Sequence, residues 1–180
     1  MEIHAQTLNR LSHQHQIIKH YIDNLPPTAI HNRLYPEKMS IHETIAYLCR
    51  YQYIFINRVN KILKEINPFF DLYKPEEDPD YQFTAAKSTG SLLHELHRIR
   101  GEMKQKIEKL ANGQCARVGI HARMGRMNIN QWLEFFLLHE SNQLSNIFKM
   151  SKDFWAIDHS NFNSVLALPN YQSQFDETGG

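Results

Sequence analysis

Between Ser40 and Ile66 an apolar residue recurs every three or four positions, and this stripe restricts the fold more than any other feature. Ile41, Ile45, Leu48, Phe55, Val59, Ile62 and Ile66 share one helical face, on which Gln52 is the single polar member. Ser40 is a good N-cap, and Glu43 three residues later completes a capping box. A helix from about 40 to 66 follows, stopped by Pro68.

Three more stripes of the same period flank it. Ile3, Leu8, Leu11, His15, Ile18, Ile22 and Leu25 predict a first helix over about 2–24, ended by Pro26-Pro27. Leu92, Leu96, Ile99, Met103, Ile107 and Leu110 predict a third over about 88–111, with Gly113 as its C′ residue. Asn128 caps a fourth of about 129–149, followed by a short appended turn in DFWAIDHSNF. Residues 67–86, with three prolines and the acidic Glu76-Glu77-Asp78, read as a long crossover loop, and Gly113–Gly125 as a turn-rich loop. The only valines are at 59, 118 and 165, so strand formers are scarce. The economical solution is an all-α four-helix bundle. At 180 residues it is one domain, 1–168, with 169–180 a poorly ordered tail.

Composition narrows the function. Lys+Arg 20 against Asp+Glu 19 gives no basic field for nucleic acid. No apolar run approaches the roughly 20 residues of a membrane span, and the N-terminus has no apolar signal core, so a cytoplasmic location is expected. Cys49 and Cys115 are too few for a disulfide framework, and Cys49 reads as a small buried hydrophobe. Phosphate loops, GxGxxG and HExxH are all missing.

What remains are polar residues inside apolar stripes. His15 interrupts the first and Gln52 the second. Tyr47 lies beside the second, and His139 and Gln143 share a face of the fourth. His94 falls opposite its helix's stripe and reads as solvated. A buried polar group without a partner costs about 1–3 kcal/mol, so these residues should meet one another or water. They form either a hydrogen-bonded layer that fixes helix register or a pocket for a metal or small molecule.

Three blocks resemble the DinB/YfiT-like superfamily. Met39-Ser40-Ile41-His42-Glu43-Thr44-Ile45-Ala46-Tyr47-Leu48 is similar to that family's WS-x-x-E-x-x-x-H-L. Gly119-Ile120-His121-Ala122-Arg123-Met124-Gly125 is similar to its G-x-H-x-x-x-G, and Asn128 through Ile147 to its last helix with an H-x-x-x-H pair. The resemblance implies an up-down-down-up bundle, often dimeric, holding a divalent metal with three histidines, and for some members thiol-dependent transferase chemistry. Carried over, the ligand positions are Tyr47, His139 and Gln143, and only His139 matches.

Three imidazoles suit zinc or nickel. A tyrosine must lose a proton of pKa near 10, and glutamine offers only a neutral amide oxygen. The expectation is a degenerate site without a cofactor, or with zinc or nickel at low occupancy, in a non-catalytic or small-molecule-binding bundle. The alternative is a metal-dependent transferase or hydrolase with substituted ligands that drafts in His15. Tyr51, Tyr53 and Ile54, apolar surplus on the second helix, add support for a homodimer.

Overall fold

In the computed structural model the backbone is described for residues 3–166 and the side chains for residues 3–157. Four helical segments carry the bundle, each built on its expected stripe. The first is α1 (Ala5–His13), a 3-10 turn (Gln14–Gln16) and α2 (Ile17–Ile22), with a short α3 (Pro27–His31) after it. The second is α4 (Ile41–Lys64), whose Ser40–Glu43 capping box forms in both directions. The third is α6 (Thr89–Glu108), preceded by α5 (Pro79–Ala85), and the fourth is α8 (Ile129–Leu166). Among the described residues no helix is long and apolar enough to cross a membrane.

The contacts between these helices fall in sequence order and give their directions. Thr7 and Arg10 meet Glu134, Gln14 meets Glu140, and Ser151 donates to the Tyr21 carbonyl, so α1–α2 and α8 run the same way. Tyr47 meets His139 while Arg58 lies over Trp132, so α4 runs against α8. His42 meets Thr89 and Tyr53 meets Glu95, so α4 and α6 run side by side in one direction.

Four expectations need correction. The first helix is not continuous, because it tightens at Gln14–Gln16, where the Leu11 carbonyl one turn earlier accepts from Arg100 Nη1 at 3.1 Å. The fourth helix does not stop near 149. No glycine or proline interrupts 129–166, and Tyr35 donating to Asp153 at 2.7 Å helps to hold the continuation. Gly113 is not a C′ residue, since it lies inside a short helix, α7 (Asn112–Cys115). The supposed tail, 169–180, lies outside the described residues.

The fourth correction concerns the two loops, which join as a small sheet. Strand β1 (Phe69–Phe70) pairs in parallel with β2 (Val118–His121), and β2 pairs antiparallel with β3 (Gly125–Asn128). Each motif glycine has a physical reason. A Cβ on Gly119 would come within 2.9 Å of the Ile62 and Phe70 side chains, so β2 can lie on α4 only with no side chain there. Gly125 has φ +73°, the left-handed conformation that closes a three-residue hairpin loop. His121 between them accepts the turn amides of Arg123 and Met124 on Nδ1, at 3.2 and 3.1 Å. Arg117 caps the end of α4 by donating to the Ile62 and Glu65 carbonyls.

The apolar surplus of α4 is used inside the chain. Tyr51 is buried, Ile54 packs on the core, and the Tyr53 hydroxyl donates to Glu95 at 2.6 Å. These three residues therefore give no support to a homodimer.

Candidate functional site

Tyr47 faces α8 from the second turn of α4, one turn beyond Thr44. His139 faces it from α8, and the Tyr47 hydroxyl lies 3.0 Å from His139 Nε2. Around them Tyr51 and Tyr73 pack with ring centroids 4.6–5.9 Å from Tyr47, His139 or each other. Tyr73 is fixed in turn by donating to Asp78, which Arg50 grips with two donors.

The electrostatics follow from burial. Desolvation raises the Tyr47 phenol well above its ordinary value, with Tyr51 adding and Arg58 opposing. Desolvation lowers the half-buried His139 imidazole, and the Arg58 charge lowers it further. At neutral pH the pair is therefore a protonated phenol and a neutral ring joined by one hydrogen bond. Neither group is poised as a strong base or nucleophile.

Gln143, one turn along α8, does not join this pair through any hydrogen bond in the structure. Its Oε1 accepts from Asn146 at 3.4 Å, and its side chain lines a cavity of about 260 Å³ with Tyr35, Lys38, Thr44, Asn146 and Lys149. Gln52, fully buried, accepts from Arg100 Nε at 3.1 Å, and its own amide nitrogen has no partner. His15 turns to the third helix, with Nε2 3.5 Å from His97 Nδ1 and its Nδ1 buried without a partner. Burial is the main cause that depresses His15 to about 3, with Arg100, His97 and His13 adding to it. His94 is exposed.

Sequence reasoning missed the most buried charges in the bundle. Arg100 and Glu140 are each 1% exposed and form an ion pair through Arg100 Nη2. Glu140 also accepts from Gln14 at 3.0 Å, and the guanidinium lies 4.9 Å over the Phe136 ring. A signal existed: each charge falls on an apolar stripe, Arg100 between Leu96 and Met103 and Glu140 between Phe136 and Leu144.

A four-helix frame with a helix-two residue against a His on the last helix, joined by a G-x-H-x-x-x-G hairpin, is the arrangement to which known proteins can be compared. The family model of the DinB superfamily matches residues 10–145. The chain belongs to the DinB superfamily. YfiT from Bacillus subtilis, described as a probable metal-dependent hydrolase with an unusual four-helix bundle topology, matches with a TM-score of 0.70 and 14% identity. The match covers 83% of this chain and 86% of YfiT, and at that identity it is a likeness of fold. No curated protein matches the sequence.

The positions that the resemblance implies as ligands can be tested against a metal by their donor atoms. The Nε2 of His139 faces the Tyr47 hydroxyl, the phenol is held protonated by burial, and Gln143 contributes an amide turned toward Asn146. Among the described residues no three His, Cys, Asp or Glu side chains are grouped to hold a metal ion. This donor set does not fit zinc or nickel.

Proposed function

We propose that this chain is a DinB-type bundle in which a hydrogen-bonded tyrosine–histidine pair has taken the place of the metal centre, leaving a non-catalytic protein that binds a small molecule. The observation that carries the reading is the 3.0 Å contact between the Tyr47 hydroxyl and His139 Nε2. Whether Nε2 accepts from the phenol or donates its own proton to it, that nitrogen has no free lone pair for a metal, and its partner is kept neutral by burial. The cavity beside it, lined by Gln143 from the third ligand position, supplies room for a ligand. An enzyme that drafts His15 into a metal shell gains no support, because that ring packs against His97.

The reading makes restoration a test. Residues that merely orient a metal ligand are worth about 10–100-fold in affinity, so two added ligands should exceed that range. The Tyr47→His/Gln143→His variant is expected to bind zinc more than about a hundredfold tighter than wild type in a competition titration. A wild-type chain that already binds as tightly as the variant would overturn the reading. A variant with no gain would show that the three positions do not converge, and the replacement account would fall with them.

A further inference from the structure

The cavity has a charge pattern that narrows its ligand. Thr44 precedes Tyr47 on α4 by one turn and Gln143 follows His139 on α8 by one turn. The two helices run in opposite senses, so both displacements point the same way along the bundle. The cavity therefore sits one turn from the tyrosine–histidine pair, toward the start of α4.

Two lysines line it, Lys38 from the segment before α4 and Lys149 from α8. Among the described residues neither is in an ion pair with a carboxylate, and the Lys38 ammonium lies 4.9 Å over the Tyr35 ring. No carboxylate lines the cavity. Asp153, near the rim, is engaged as the acceptor of the Tyr35 hydroxyl. The uncharged lining pairs the Gln143 and Asn146 amides with the apolar Met39 and Met150. A concave wall of one sign concentrates counter-charge. At about 260 Å³ the space lies just below the roughly 300–1,000 Å³ of drug-sized sites.

We propose that this cavity binds a small oxyanion-bearing molecule, its carboxylate or phosphate between Lys38 and Lys149 and a short apolar portion against Met39 and Met150. The proposal rests on the ligand-binding reading above and names the class of ligand. Hexanoate and hexyl phosphate, with hexanol as the uncharged control, are titrated calorimetrically into the full chain and into Lys38→Gln/Lys149→Gln. At least one anion is expected to bind about tenfold or more tighter than hexanol, and to lose about tenfold or more in the lysine variant, equivalent to about 1.4 kcal/mol. Preference for hexanoate assigns a carboxylate and preference for hexyl phosphate assigns a phosphate. Equal binding of hexanol, binding unchanged in the lysine variant, or no binding of either anion would overturn the proposal.

Metal content measured on the same samples separates this from the reading beneath it. Failure of both anions to bind a metal-free chain overturns the cavity assignment alone. Anion binding that needs bound metal and survives loss of both lysines overturns both.

Discussion

Replacing Arg100 with methionine is expected to destabilise the fold by about 3–5 kcal/mol, the cost of stranding one partner of a buried ion pair. Arg100 is 1% exposed and each of its three guanidinium nitrogens donates: Nη2 to Glu140, Nη1 to the Leu11 carbonyl and Nε to Gln52. Without it, Glu140 keeps only the Gln14 amide, and the Leu11 carbonyl loses its Arg100 donor where the first helix tightens. The pair's own net contribution is much smaller than this loss, because desolvation of two charges offsets most of their attraction. Arg100→Met/Glu140→Leu should therefore recover a large part of the stability that Arg100→Met loses. Urea denaturation of wild type, both single variants and the double variant checks this. Additive losses in the double variant would contradict the account of a coupled buried pair.

The second large effect is acid sensitivity through His15. Its folded-state value is about 3 against an ordinary 6.5, so the unfolded chain takes up the proton first as pH falls. The contribution is fully present above pH 6.5 and is lost as pH drops from 6.5 toward 3, by up to about 1.4 kcal/mol per unit. By pH 5 that amounts to roughly 2 kcal/mol. His121 and His139 are shifted in the same direction, so wild type alone cannot isolate His15. His15→Leu removes the titrating ring together with its unpartnered Nδ1, and should cost little at pH 7. Its stability should exceed that of wild type by a margin that widens from pH 7 to pH 5. Parallel curves for the two proteins would mean that His15 is protonated as easily in the fold as in the unfolded chain.

Both effects arise where local sequence signals end. The Ser40–Glu43 box and the Asn128 cap are short-range features, and both formed as local rules dictate; Asn128 and Gln131 bond reciprocally at 2.9 and 3.0 Å. The approach of Tyr47 to His139 was implied by the resemblance of their motifs to the DinB family's ligand positions, and the stripes alone do not pair them. The sheet was not readable in this way. Its strands are two to four residues long, and it depends on Phe69 and Phe70 finding Ile120 and His121 some fifty residues later. The break in the first helix depends on an arginine from the third, and the fate of Gln52 on that same side chain. Gln143 shares a face with His139, yet its own bond to Asn146 and the cavity beside it set its surroundings, which helix spacing alone does not encode.

A neutral Tyr47–His139 hydrogen bond, at positions that the DinB resemblance implies as metal ligands, is the centre of the proposed function. Elemental analysis of the chain, purified without a histidine tag and without added metal or chelator, tests it most directly. The account predicts zinc and nickel far below one atom per chain, with His139 still titrating below the ordinary histidine value by NMR. One tightly held zinc or nickel per chain, lost together with His139 in His139→Phe, would contradict it.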